Sequence, residues 1–330
     1  MEMKIKKNKF IIITSIFEPT EAVQKFSKKN DYRLVVVGDE KTPTNWSVDN
    51  VLYLSIHKQA NIGSFLKNVL PYNHYCRKMI GYIYAIKNGA EYIIDTDDDN
   101  IPKADWGFPE MIGSFLSLKN NMGFVNIYQY FTDKHIWPRG LPINYINKNF
   151  GIEKSLNVNE CNIGVWQGLA DEDPDVDAIY RLTSDAPCYF DIKKPIVLGK
   201  GTLCPFNTQN TMIRKELFPL LYLPASVTFR FTDILRGLIA QPIMWLYNYY
   251  LGFTNATVVQ KRNPHDYMKD FISEIPMYVN CERIIEITSS VIHEKNSISN
   301  NLYITYEALL KNNIVERNEL TILEAWLKDI

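Results

Sequence analysis

The chain has no CxxC pair, no excess of either charge, no uninterrupted apolar run of membrane length and no internal repeat or low-complexity segment. Its five cysteines, Cys76, Cys161, Cys188, Cys204 and Cys281, are scattered and odd in number. That pattern argues against a disulfide framework and a zinc site, and a reducing, cytoplasmic location is expected. Lys and Arg number 36 against 37 Asp and Glu, a formal net charge of −1. No global field therefore attracts nucleic acid or an anionic membrane, and any anion has to be bound locally. Gly237 to Gln260 is uncharged over nearly the length of a membrane span, but Gln241, Pro242, Asn248 and Asn255 interrupt it. Unpartnered polar groups are costly in lipid, so a buried, kinked helix is expected and no transmembrane segment. The lysines before Phe10 imitate a signal peptide, yet the apolar run stops at Glu18-Pro19 without a small-residue cleavage site. It reads as a first β-strand.

What is present is ample apolar material, 46% of 330 residues, enough for one large domain or two small ones. Phe10 to Ile16 and Leu34 to Val37 are β-branched runs suited to strands buried on both faces, and each ends in polar, turn-forming residues. Met79, Ile83 and Ile86 fall at helical spacing, with Gly89 placed to end that helix in a left-handed conformation. Glu91 to Ile94 then forms a short strand. Strands separated by helices imply a largely parallel, three-layer α/β sheet, so the tips Thr14-Ser15, Gly38-Asp39 and Asp95 to Asn100 should converge where ligands bind. From about 131 to 175 the sequence is irregular and rich in Pro, Gly and Asn, as in a substrate-binding lid or wall. Beyond about 262 it is charged and mainly helical.

Asp95-Thr96-Asp97-Asp98-Asp99-Asn100 places four carboxylates within five positions at a strand end, where repulsion is costly unless a cation neutralises them. Mg²⁺ and Mn²⁺ choose oxygen ligands and bridge carboxylates to substrate phosphates. A calcium loop would need glycine sixth and glutamate twelfth, where this chain has Asn100 and Trp106. A phosphoaspartyl hydrolase fits the spacing of Asp95 and Asp97 but not their late position, and a solvated acidic turn is the plain alternative.

The segment from Tyr75 to Asn100, YCRKMIGYIYAIKNGAEYIIDTDDDN, resembles the donor-site region of the STELLO glycosyltransferase-like family and, more distantly, the reversibly glycosylated polypeptides that include UDP-arabinopyranose mutases. VVVGDEKTP at 35 to 43, LPYNHYCRK at 70 to 78, WPRGLP at 137 to 142, QGLADEDPDVDAIYRLT at 167 to 183 and LLYLPASVTFRFTDILRGLIAQ at 220 to 241 are similar to blocks of the same family in the same order. The resemblance covers about residues 8 to 275. It implies a GT-A fold, α/β and Rossmann-like with a mixed central sheet. The donor half would be about 1 to 130, the acceptor half about 131 to 262, and 263 to 330 a helical C-terminal appendage. It also implies a hexosyl- or pentosyltransferase that uses Mn²⁺ or Mg²⁺ and moves sugar from a nucleotide-sugar, UDP-linked, to a glycan or other hydroxyl acceptor. A nucleotide-sugar mutase and a silent binding or scaffold protein are the alternatives. The plant members carry a membrane anchor before this domain, and none is expected here.

Carried onto this chain, the resemblance makes Asp99 the metal ligand, Asp97 a ribose or second metal contact and Asp98 a neighbour of the donor sugar. Arg77 and Lys78 would hold the diphosphate or base, or be surface charges near a helix end. Thr14, Ser15 and Asp39 would contact base and ribose, although Asp39 suits an ordinary turn. Asp233, after the N-cap candidate Thr232, would orient or deprotonate the acceptor hydroxyl, or simply favour a helix start. His265 would complete the metal shell or be structural, and Lys261 and Arg262 would neutralise the leaving group. Asp171, Asp173, Asp175 and Asp177 form a second acidic run, either a solvated loop or a wall of the sugar pocket. Trp137, Trp166 and Trp245 are core residues or sugar platforms.

Overall fold

A computed structural model describes residues 8–184, 186–261 and 266–330. Its strands are β1 (Lys9–Thr14), β2 (Tyr32–Val37), β3 (Val51–Leu54), β4 (Tyr92–Thr96), β5 (Asn100–Pro102), β6 (Ile112–Leu118), β7 (Gly123–Phe124), β8 (Leu156–Glu172), β9 (Ile196–Val197), β10 (Thr202–Leu203), β11 (Asn210–Arg214) and β12 (Tyr250–Gln260). The helices are α1 (Glu21–Phe26), α2 (Ile56–Gln59), α3 (Lys78–Lys87), α4 (Tyr128–Phe131), α5 (Ala178–Thr183), α6 (Thr232–Leu246), α7 (Tyr267–Val291), α8 (Ile298–Lys311) and α9 (Asn318–Asp329).

The main sheet runs β3-β2-β1-β4-β11-β8-β6-β9-β12-β5, with β12 also paired to β8. Its first four strands are parallel. β11 then reverses against β4, so the sheet as a whole is mixed. Along β1, Phe10 and Ile12 enter the larger core while Ile11 and Ile13 enter a second core on the opposite face. That alternation is why a run of consecutive isoleucines suits a central strand. α3 lies close on the sheet at Gly81, where a Cβ would come within 2.6 Å of Ile12. Gly89, at φ 80°, ends the helix as its position implied.

Three expectations are corrected. The stretch from 131 to 175 is not all irregular, because residues 156 to 172 form β8, which pairs with β6, β11 and β12. Its first half is exposed and rich in Asn and Glu, so it lacks the apolar density that marks a buried strand. The uncharged stretch 237 to 260 is not one helix: α6 ends at Leu246 and β12 begins at Tyr250. Among the described residues no helix is long and apolar enough to cross a membrane. The second acidic run is not a solvated loop, since Asp171, Asp175 and Asp177 are buried.

The three C-terminal helices pack into the larger core through Met277, Ile284, Leu302, Tyr306 and Trp326. Their carboxylates also hold distant backbone. Asp329 accepts from the amides of Ser64, Phe65 and Leu66, and Glu319 from those of Ala225 and Ser226. Buried amides need such partners. All five cysteines are buried and free, and Trp137 and Trp166 are core residues.

Candidate functional site

The expected strand tips do converge. Thr14, Ser15, Asp39, Asp97, Asp98 and Asp99 line one side of a cavity of about 420 Å³. β4 delivers the three aspartates, and each is tethered differently. The Oδ1 of Asp97 accepts from the Tyr75 hydroxyl at 2.7 Å and from Lys78 Nζ at 3.0 Å. Asp98 accepts from the Ser15 hydroxyl, and Asp99 Oδ2 accepts from Gln260 Nε2 at 3.0 Å. Burial pushes the Asp98 carboxyl up to about 6, against the help of Ser15. Asp39 receives the amides of Glu40 and His74, which fixes the β2 tip against the loop before α3.

A second part of the lining is built around Arg139, a residue of the WPRGLP segment. Its guanidinium donates to both oxygens of Asp175, at 2.8 Å each, and to both of Asp233, at 3.0 and 2.9 Å. Asn207 adds a bond to Asp175, and Thr208 gives its amide and hydroxyl to Asp233 at 3.3 Å. Burial opposes the Arg139 charge, but the two carboxylates outweigh it and hold the proton well above the ordinary range. Arg230 is drawn to Glu274 of α7 and to the Val176 carbonyl. The two sides meet at Tyr75, whose hydroxyl is 2.5 Å from that of Thr208.

Two proposed ligand contacts lie elsewhere. Arg77 is only 2% exposed and donates to Gln59 Oε1 through Nε and Nη2, with its guanidinium 4.3 Å from the Tyr72 ring centre. Gln59 in turn donates to the carbonyls of Gly38 and Leu54, so Arg77 braces the β2 and β3 tips from inside the fold. Lys78 is wholly buried beneath β4, bridging Asp95 at 2.6 Å and Asp97 at 3.0 Å. It positions an aspartate and has no surface to offer a ligand. Arg236 of α6 takes the other oxygen of Asp95, which gives that fourth carboxylate a structural place. Thr232 is the first residue of α6, not its cap, while Asp233 does lie in the first turn. His265 and Arg262 lie outside the described residues. Besides Arg139, the cavity brings in Asp175, one of the acidic run expected at a sugar-pocket wall, Tyr75, Phe229 and Arg230 from within the quoted segments, and Asn207 and Thr208, which lie outside all of them.

With this geometry in view, the model of the family described as STELLO glycosyltransferases matches residues 230–330. Two Arabidopsis thaliana proteins match along 98% of the chain. They are "Probable glycosyltransferase STELLO1" at 28% identity and "Probable glycosyltransferase STELLO2" at 26%. The chain is similar to the STELLO glycosyltransferases. It spans 44% and 45% of those two relatives, less than half of their length. Among solved structures, a mycobacterial protein aligns over 85% of this chain and 73% of its own, with TM-score 0.37 and 10% identity. The glucosyl-3-phosphoglycerate synthase of M. tuberculosis aligns over 85% and 78%, with TM-score 0.32 and 8% identity. The mixed α/β sheet with C-terminal helices is the fold class expected.

Proposed function

We propose that this chain is a STELLO-type GT-A glycosyltransferase that takes a sugar from a nucleoside diphosphate sugar, UDP-linked, and passes it to a hydroxyl acceptor. The observation that supports it most is that two unlike sets of side chains line one cavity. Asp97, Asp98 and Asp99 with Ser15 and Asp39 make a donor wall, and Asp233 with Arg139, Asn207 and Thr208 makes an acceptor wall. The proposed divalent cation suits the donor wall by its chemistry: hard oxygen ligands at a strand tip, one of them a carboxyl that burial has made reluctant to ionise. Among the described residues no three His, Cys, Asp or Glu side chains form a ready cage. Mg²⁺ and Mn²⁺ do not require one, because they characteristically take one or two carboxylates plus phosphate oxygens and waters. When bound, such an ion would stabilise charge on the diphosphate leaving group.

The chain's own residues then divide the work. Asp99 and Asp97 are the cation and ribose contacts, Lys78 and Tyr75 hold Asp97 in place, and Asp98 faces the donor sugar. Asp233 is presented to the acceptor as an orienting carboxylate. Its role as a free base is revised, because Arg139 and Thr208 already occupy both of its oxygens. Titration calorimetry with UDP and UDP-glucose, in Mn²⁺ and in chelator, tests the reading. Binding should need the metal and be lost in Asp99→Ala, and equal affinity in chelator would remove the triplet from the donor site.

A further inference from the structure

Phe229 is a large apolar side chain that belongs to neither hydrophobic core. It is 58% exposed, yet it lines the cavity. Exposed aromatics are usually mobile, but both neighbours of Phe229 are fixed. Thr228 donates its hydroxyl to the Ser273 carbonyl at 2.5 Å, and Arg230 is paired to buried Glu274 at 2.8 Å. Three residues upstream, Ser226 gives its amide to Glu319 at 2.7 Å. α7 and α9 therefore hold the segment on which the ring stands. The ring meets Tyr75 at 5.6 Å and 84°, and the Tyr75 hydroxyl touches Asp97 of the donor wall.

We infer that Phe229 is the stacking platform of an acceptor subsite for one pyranose ring of a neutral glycan, an assignment that rests on the transferase reading. A pyranose has an apolar C–H face and a rim of hydroxyls. Such a ring needs an aromatic face beside clustered hydrogen-bonding groups. Asp233, Asn207 and Thr208 supply the polar half along the same cavity. Lys41 lines the same cavity near Asp39, but on this wall the electrostatics select against an anionic acceptor. Arg139 is engaged by two carboxylates and Arg230 by Glu274, so neither cation of this wall is left uncompensated for a phosphate or uronate. The glycan would lie with one ring on Phe229 and its reacting hydroxyl directed toward the donor aspartates.

The test uses the full chain with UDP and Mn²⁺ present, and maltotriose, cellotriose, xylotriose and mannotriose as probes, read by saturation-transfer NMR and calorimetry. At least one trisaccharide should bind the wild type. Phe229→Ala should weaken it by about tenfold, Phe229→Trp should retain it, and Phe229→Leu, which keeps apolar volume without a flat face, should behave like alanine. UDP affinity, measured in parallel, should change by less than about twofold in each variant. Wild type that binds UDP but none of the trisaccharides, or Phe229→Ala and Phe229→Leu with wild-type trisaccharide affinity, overturns the subsite alone. Wild type that fails to bind UDP overturns the donor reading beneath it.

Discussion

The two walls of the cavity use the same residue type to opposite ends. On the proposed donor side three consecutive aspartates stand at a strand tip with hydroxyl, amide and lysine donors around them, and burial has raised the Asp98 carboxyl to about 6. On the proposed acceptor side Asp175 and Asp233 are more deeply buried, but Arg139 sits between them and bonds every carboxylate oxygen. A crowded set of carboxylates is the kind of site that the proposed cation would complete, whereas a set closed on an internal guanidinium is already complete. The first is chemically receptive, and the second is a shaped, hydrogen-bonding surface.

The largest test of this contrast is Arg139→Met. Removing the guanidinium strands two buried carboxylates, and stability should fall by about 3–5 kcal/mol in urea titrations. A loss below 1 kcal/mol would mean that water already screens the acceptor wall. Glu319→Ala should cost about 1–3 kcal/mol, since it leaves the half-buried amides of Ala225 and Ser226 without this partner, and trisaccharide binding should weaken with it. If binding were untouched, α9 would support the fold but not the wall. Arg77→Ala should destabilise by about 2 kcal/mol and leave UDP affinity intact, because its partner Gln59 lies behind the site. The reverse outcome would return Arg77 to the donor wall.

The smallest effect, and opposite in sign, belongs to the donor triplet itself. With its folded value near 6, above the usual carboxyl range, Asp98 retains a proton that the unfolded chain has released between about pH 4 and 6. Its contribution therefore falls as pH rises through that window and stays low above it. Asp98→Asn should stabilise the apo protein by about 1–2 kcal/mol at pH 7, gain nothing at pH 4, and weaken donor binding. A destabilised variant at pH 7 would show that the donor wall is as self-satisfied as the acceptor wall.

Much of the donor side was legible because it is local in the chain. β-branched runs at β1, β2 and β4 fixed which strand ends would gather, and four carboxylates in five positions could be read without any partner. The proposed acceptor side was only partly legible because its parts lie far apart: Asp233 and the acidic run holding Asp175 could be singled out, but Arg139, Asn207 and Phe229 each look ordinary alone. Arg77 and Lys78 misled for the same reason. A cation beside a helix start reads the same whether it points to solvent or inward, and only the packing of α3 over β1 and β2 buries both.

The sequence by itself determined the parallel start of the sheet, the end of α3 at Gly89 and the placing of Asp97, Asp98 and Asp99 at a strand tip. Those features depend on periodicity and on backbone conformations that adjacent residues impose. Tertiary structure alone decided that β8 would be central despite its polar first half, that one arginine would close two distant aspartates, and that α7 and α9 would hold Phe229 at the cavity mouth. The reason is physical: an ion pair or a buried amide is satisfied by whatever the fold brings within about 3 Å, and that neighbour is set by the whole chain's packing, not by its neighbours in sequence.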